Sequence, residues 1–414
     1  MHVIQVPRRF VRSHWGGTET VILETSKGLL ALGHETEIFC PSALSDQPSE
    51  EIDGVSVRRF DYFYPYLGLS DAAREQMDLK GGNLFSFPLL TELGRVPKLD
   101  LIHLHTGKRL GGIGRYAAGK RRIPYVISLH GGVYDVPSGE AQSWTAPTRG
   151  AFEWGKALGW WVGARRVLDE AAAIICLGTR ELEEARRRHP GRTVVQLPNG
   201  VDAPRFAGGD GRAFRERHAI PPTAFVILVM GRIDPQKNQR LAVRLLTELH
   251  RGSGASHLVL IGPVTNPSYE AELAADIKEM GLGGSVTLIP GIQSQDPDLV
   301  NAYHAADLFL LPSVHEPFGI VILEAWASGL PVVASKVGGV PTFVEDGQDG
   351  LLFPPDDLPR LSGLVRDLMA NRDERCRLAQ AGRKKAVEAF GWDSITRRLV
   401  NIYEEAIHEY SLRQ

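Results

Sequence analysis

Two glutamates separated by seven residues, Glu316 and Glu324, stand in the stretch Leu310-Leu311-Pro312-Ser313-Val314-His315-Glu316-Pro317-Phe318-Gly319-Ile320-Val321-Ile322-Leu323-Glu324-Ala325-Trp326-Ala327-Ser328-Gly329. The stretch reads as strand, tight loop and helix. Gly319 lets the backbone turn closely, and the N–H groups of Phe318, Gly319 and Ile320 stand at a helix start, where unpaired donors and the helix dipole favour an anion. That is a cradle for a phosphate or a sugar oxygen. Ionised carboxylates only accept hydrogen bonds, so Glu316 before the helix and Glu324 inside it suit a ligand rich in hydroxyl groups. The same residue types also allow a structural reading, with Glu316 capping the helix and Glu324 in a surface ion pair. The apolar run Ile320 to Leu323 implies a largely buried helix, and a carboxylate embedded in such a helix needs a partner.

A second cluster is basic. Gly231-Arg232-Ile233-Asp234-Pro235-Gln236-Lys237-Asn238 directly follows the apolar run Phe225 to Met230. Arg232 offers a planar set of donors and Lys237 a mobile point charge, a pair that can hold a diphosphate and stabilise it as it leaves. Taken alone, the octapeptide reads equally well as a solvated loop. In the first half, Trp15-Gly16-Gly17-Thr18-Glu19 follows the strand-like His2 to Val6, and Ser128-Leu129-His130-Gly131-Gly132 closes another strand. Paired glycines are common in turns, and a lone histidine is more often structural than catalytic.

Positioning these groups falls to two series of short apolar runs that read as buried parallel strands. The first comprises His2 to Val6, Glu35 to Phe39, Leu101 to His105, Tyr125 to Leu129 and Ala173 to Leu177. The second comprises Phe225 to Met230, His257 to Ile261, Val286 to Ile289, Leu308 to Leu311 and Val332 to Ala334. Helix-like stretches between them predict an α/β fold with two parallel sheets, each covered on both faces. The 414 residues exceed what one core organises, which also favours two domains. The turn-rich Pro198-Asn199-Gly200-Val201-Asp202-Ala203-Pro204 marks the division. The expected organisation is a first domain over 1–198 with an insertion at about 61–96, a linker over 199–206, a second domain over 207–392 and a helix over 393–414. In the last, Ile395, Leu399, Ile402, Tyr403 and Ile407 share one face. The insertion is read as loops with a short helix.

Composition narrows the class. Hydrophobic residues at 43% and charged residues at 23% describe a packed globular protein, and a net charge of −2 removes the simplest case for a nucleic-acid binder. Cys40, Cys176 and Cys376 are odd in number and far apart, which fits reduced thiols in a cytoplasmic protein. No basic-then-apolar leader precedes Val3, and no apolar run approaches the ~20 residues that span a bilayer. Four tryptophans, Trp144, Trp154, Trp160 and Trp161, cluster with Lys156, Arg165 and Arg166. Packing or lining of an acceptor cleft explains them more simply than a membrane interface, though peripheral contact with the inner membrane face stays open.

Three signals point elsewhere and are set aside. Gly112-Ile113-Gly114-Arg115-Tyr116-Ala117 matches a dinucleotide pattern, but His130 stands where the ribose-binding acid belongs. Asp296-Pro297-Asp298 imitates a metal-binding Asp-x-Asp, yet it precedes a helix-like stretch in which Asp298 reads as a cap. His103 and His105 alternate on one strand without an evident third ligand, so no metal is expected.

The Glu316 to Glu324 segment, E-P-F-G-I-V-I-L-E-A at its core, resembles the signature of the retaining glycosyltransferases of family 4, and the resemblance extends over nearly the whole chain. Arg232 and Lys237 resemble that family's diphosphate pair, and Gly17 its glycine loop opposite the donor phosphates. The resemblance implies the GT-B architecture, two Rossmann-like parallel-sheet domains facing across a cleft, with the C-terminal helix crossing back to the first domain. It implies transfer of a sugar, with retained configuration and without cofactor or metal, from a nucleoside diphosphate sugar, most simply a UDP-sugar. The acceptor would be a glycan, a lipid-linked or a small molecule, in polysaccharide biosynthesis or a related pathway. Glu316 and His130 would then approach the donor sugar, Glu324 the ribose, and Gly262 and Ile292 the nucleoside. An epimerase or phosphorylase on the same scaffold, or a nucleotide-sugar binding protein without turnover, are the competing readings. Oligomeric state is not legible.

Overall fold

Residues 1–130, 134, 148, 150–251, 255–293 and 295–413 are described in the computed structural model. They form two units, residues 1–198 with 395–414, and Asn199–Ser394.

In the first unit the strands are β1 (His2–Val6), β2 (Glu35–Pro41), β3 (Ser49–Ile52), β4 (Val55–Phe60), β5 (Tyr66–Leu67), β6 (Leu101–Leu104), β7 (Tyr125–Ser128), β8 (Phe152–Glu153), β9 (Ala173–Cys176) and β10 (Thr193–Gln196). Eight of them form a sheet in the order β10-β9-β7-β6-β1-β2-β4-β3, parallel except where β3 turns back on β4. Its central strands are buried on both faces, which is why Val3, Ile4, Leu101, Ile102, Val126 and Ile174 read as unbroken apolar runs.

The segment 61–96 is more ordered than the expected insertion of loops and a short helix. It contains two helices, Asp71–Lys80 and Phe87–Arg95, and β5, which pairs with β8. Leu89 and Leu93 lie one helical turn apart and are fully buried in the main core of this unit. The side chains of Ser70 and Ser86 cap the two helices, each accepting a backbone N–H at 3.2 Å. Short helices with one buried stripe carry a weak periodic signal, so the pattern escapes a linear reading.

The second unit has β11 (Phe225–Met230), β12 (Ser256–Ile261), β13 (Val286–Ile289), β14 (Leu308–Leu311), β15 (Val332–Ser335) and β16 (Leu351–Phe353). They make a parallel sheet ordered β13-β12-β11-β14-β15-β16. Chain order reverses between β11 and β14, and in doubly wound sheets the crevice at the carboxyl ends of such a pair is where ligands bind.

Residues 199–206, expected as a linker, belong to this unit. Asp202 caps a short helix, Ala203–Phe206, whose Phe206 is buried edge-on against Tyr303 at 5.5 Å. The last helix spans Trp392–Leu412. From Ile395 onward it belongs to the first unit, with Leu399, Tyr403 and Ala406 packed against Val3, Leu101, Val126 and Ala173. Among the described residues, no helix is long and apolar enough to cross a membrane.

Candidate active site

The reversal between β11 and β14 brings the two charged motifs together. Arg232 and Lys237 lie on the loop after β11, and Glu316 on the loop after β14. Lys237 Nζ donates to Glu316 Oε2 at 2.5 Å, with 16% and 8% of the two side chains exposed. The backbones are fastened as well, Val314 N–H donating to Gln236 O at 2.9 Å. Glu316 is therefore an ion-pair partner and not the cap of the following helix, whose N-cap is Gly319.

Asp234 shapes the basic loop. Its Oδ1 accepts the N–H groups of Gln236 and Lys237 at 3.0 and 3.2 Å, and its Oδ2 takes the Thr265 hydroxyl at 3.2 Å. Arg232 is about half exposed, donates to Gln236 Oε1 at 2.8 Å, and has its Nε 3.4 Å from Asp234 Oδ2. Its guanidinium thus keeps donors for an anionic ligand.

Two glycine positions set the backbone around these groups. A Cβ on Gly262, at φ +159°, would stand 1.9 Å from Gly231 O, so the ends of β11 and β12 touch because Gly262 carries no side chain there. A Cβ on Gly338, at φ +53°, would stand 2.0 Å from Glu316 O, an oxygen that accepts the Gly339 N–H at 2.9 Å. Gly338 and Gly339 carry no local signal of this role. Phe318, expected at the donor, turns its ring into the core, stacked on Phe343 at 4.7 Å; only its backbone can serve a ligand. Gly319 and Ile320 open the helix Ile320–Ala327, in whose first turn the Ile322 N–H donates to Gly319 O at 2.9 Å, and the N–H groups ahead of it stand where a helix start leaves donors for a ligand. Ile292 is half-buried on the loop after β13.

Glu324 sits in that buried helix, and its Oε2 accepts the Tyr303 hydroxyl at 2.6 Å. Loss of hydration raises its pKa above the usual 4.5, while the Tyr303 hydrogen bond and the Arg205 charge pull the other way. A carboxyl with a raised native pKa holds its proton more tightly folded than unfolded. Its stabilising share is full below 4.5 and is lost as pH rises through the native value. Glu324→Gln keeps an acceptor for Tyr303 and should flatten this part of the stability profile, leaving the variant as stable as the parent at neutral pH or more so. Denaturant unfolding of both proteins between about pH 4 and about pH 8 checks this; parallel profiles would refute it. Tyr303, 21 residues before Glu324, carried no local signal.

In the first unit, the reversal of chain order lies between β1 and β6. Gly17, exposed, begins the helix Gly17–Ala31 after β1, with Gly16 as N-cap. His130 follows β7, half-buried, its Nε2 2.9 Å from His105 Nδ1. Burial lowers its pKa to about 4, so the ring is neutral near pH 7. A cavity of about 610 Å³ beside it is lined by Thr18, Asn83, His130 and three cationic side chains, Arg8, Lys108 and Arg165. Among the described residues its wall contains no carboxylate.

The signals set aside resolve structurally. Gly112 and Gly114 lie inside the helix Lys108–Arg121, where added Cβ atoms would meet Val162 at 2.6 Å and Leu104 at 2.4 Å. They admit close packing and do not form a phosphate loop. Asp296, not Asp298, is the N-cap of Pro297–Ala305, because its Oδ1 reaches the Asp298 N–H at 2.9 Å; Asp298 instead pairs with Arg217. All four ring nitrogens of His103 and His105 have hydrogen-bond partners. Trp144, Gly131 and Gly132 lie outside the described residues.

Two doubly wound sheets, one with a basic and acidic cluster at its switch point, define the GT-B class of fold. The backbone matches that of Anabaena HepE with a TM-score of 0.71 and 21% identity, covering 98% of this chain and 100% of that one. It matches a sucrose-phosphate synthase from Thermosynechococcus elongatus with a TM-score of 0.72 and 21% identity, covering 99% and 100%. Residues 210–385 match the glycosyl transferases group 1 model, and residues 16–200 the glycosyl transferase 4-like domain. The D-inositol 3-phosphate glycosyltransferase 2 of Catenulispora acidiphila is 32% identical over 95% of this chain and 91% of its own length. The D-inositol 3-phosphate glycosyltransferase of Mycolicibacterium paratuberculosis is also 32% identical, over 96% and 87%. The chain belongs to the group 1 glycosyltransferases of family 4.

Proposed function

We propose that this glycosyltransferase moves a sugar from a nucleoside diphosphate sugar to a hydroxyl of an anionic acceptor, with retention and without a metal. The observation that carries the reading is the pairing of Lys237 with Glu316 across the switch point of the second unit. Arg232, Lys237 and the N-terminus of the helix Ile320–Ala327 hold the diphosphate and stabilise its developing charge. Glu316 accepts hydroxyls of the transferred sugar and Glu324 those of the ribose. Gly262 and Ile292 border the base, and Gly17 and His130 complete the donor contacts. The sugar–phosphate bond breaks with its electron pair left on phosphate. The acceptor oxygen bonds to the anomeric carbon on the same face, and its proton passes to the departing phosphate. No protein nucleophile takes part in this version; a trapped glycosyl-Glu316 adduct would replace it.

The acceptor class follows from the cavity beside His130, whose three cations and uncharged walls suit a phosphate or carboxylate. The relatives act, by their names, on an inositol phosphate, and a phosphorylated polyol is the acceptor to try first. A larger cavity of about 1170 Å³, walled by Trp160, Trp161, Lys156 and Arg166, gives these residues the role of an acceptor wall. Peripheral membrane contact through Trp160, 84% exposed, would appear as flotation with anionic vesicles.

Ligand-induced thermal stabilisation across nucleoside diphosphates and their sugars tests the donor half. UDP heads the panel because the HepE neighbour was solved with UDP and with UDP-glucose. One nucleotide is expected to raise the Tm of the parent, and less so that of Glu324→Ala and Arg232→Ala. No response to any nucleotide would remove the assignment. Product analysis in excess chelator then reads anomeric configuration and metal dependence, and turnover without acceptor or with orthophosphate would reveal an epimerase or phosphorylase.

A further inference from the structure

Beneath His130 runs a continuous chain of buried polar side chains that neither the diphosphate site nor the acceptor cavity explains. Gln5 on β1 faces His103 on β6 in register, and Gln5, His103 and Tyr403 are all but excluded from solvent. Gln5 Nε2 donates to Tyr403 Oη at 3.3 Å, and Gln5 Oε1 lies 2.8 Å from His105 Nε2. His105 Nδ1 then lies 2.9 Å from His130 Nε2. A second arm joins Tyr403 Oη to His103 Nδ1 at 2.6 Å and His103 Nε2 to Ser128 Oγ at 2.7 Å.

With the Gln5 carboxamide oriented so that its oxygen meets His105 and its NH2 meets Tyr403, the donor and acceptor inventory fixes the protons along this chain. An amide oxygen only accepts, so His105 carries its proton on Nε2 and offers the lone pair of Nδ1. His130 must fill that lone pair, which puts its own proton on Nε2. Its Nδ1 is then left as an acceptor beside the cavity that His130 lines, and among the described residues it has no protein partner. All three imidazoles are held neutral by burial, with His103 lowered to about 3. The second arm fits the same assignment, with Tyr403 donating to His103 Nδ1 and His103 Nε2–H to Ser128.

We infer that Gln5, His105 and Tyr403 are positioning residues that lock His130 into the Nε2–H tautomer, so that Nδ1 receives a hydrogen bond from a sugar hydroxyl. The inference rests on the reading of His130 as a donor-sugar contact. The anchor is the carboxamide of Gln5, fixed from the other side by a tyrosine on the C-terminal helix, so the last 20 residues of the first unit bear on the chemistry.

The test uses the full chain, ¹⁵N-labelled at histidine. Long-range ¹H–¹⁵N spectra of the parent should show His130 protonated on Nε2. Gln5→Leu should leave His105 and His130 as tautomer mixtures and lower kcat/KM about tenfold, the worth of one oriented hydrogen bond. Gln5→Glu puts a carboxylate against His105 and favours its doubly protonated form; His105 then donates through Nδ1 and forces His130 into the Nδ1–H form. Its activity should recover as pH rises, whereas that of Gln5→Leu should not. A role confined to folding would give no such recovery. An Nδ1–H tautomer in the parent, or unchanged spectra and turnover in Gln5→Leu, would overturn the inference. Full activity in His130→Ala would instead remove the assignment of His130 itself.

Discussion

Replacing Lys237 by alanine is expected to cost both turnover and stability, and the two losses can be separated. Glu316 is buried, and without Lys237 Nζ at 2.5 Å its carboxylate has no ion-pair partner among the described residues. Breaking such a pair from one side typically costs about 3–5 kcal/mol, because the remaining charge stays out of water. Turnover should fall by roughly 10²–10³ or more, the range for losing one preorganised group that meets developing charge. The double variant Lys237→Met with Glu316→Gln removes both charges. It should recover most of the lost stability while turnover stays low, since a methionine cannot answer the charge of a departing diphosphate. Denaturant midpoints and steady-state rates of the three proteins decide the matter. Wild-type turnover in Lys237→Ala would dismiss the switch-point cluster as the active site.

Gly262→Ala should be nearly as damaging, for a steric reason. The new methyl would lie 1.9 Å from Gly231 O and 2.4 Å from Gly231 C. Both are backbone atoms at the end of a buried strand, so no rotamer change relieves the overlap. The φ of +159° adds strain that an alanine does not tolerate. A loss of about 3 kcal/mol or more is expected, combining overpacking with backbone strain. Relief requires Gly231 to move, and Arg232 with it, so nucleotide-induced stabilisation should weaken even where the variant still folds. Gly283→Ala serves as a control: its Cβ meets nothing within 4 Å, and such surface changes stay within about 0.5 kcal/mol. Equal stability of the two variants would show that the approach of the two strand ends is not obligatory.

Much of this molecule is legible from local chemistry. Runs such as Phe225 to Met230 and Leu308 to Leu311 have no polar face, and a strand buried on both sides needs none. The peripheral elements carry weaker signals. Strand β4 alternates buried and exposed residues, β16 has three residues, and the helices Asp71–Lys80 and Phe87–Arg95 expose most of their surface. Their stabilising contacts come from other parts of the chain, so their own sequences are weakly patterned. The capping residue before Pro297 was misplaced by two positions for a related reason. Asp296 and Asp298 are both suitable side chains, and only the backbone angles decide which of them stands outside the helix.

By itself, the sequence determined which residues can do chemistry. Glu316, Glu324, Arg232 and Lys237 were legible because charge, hydrogen-bonding capacity and position after a strand or at a helix start are properties of a few consecutive residues. Only the tertiary structure decided what they meet. Lys237 and Glu316 are 79 residues apart, and they pair because β14 inserts beside β11 and the chain order reverses there. Tyr303 reaches Glu324 from a neighbouring helix, and Tyr403 lies 300 residues from the His103 ring it touches. A partner buried at such separation leaves no mark in a local window. Its placement is fixed by strand order and by the need to satisfy every polar atom the core encloses.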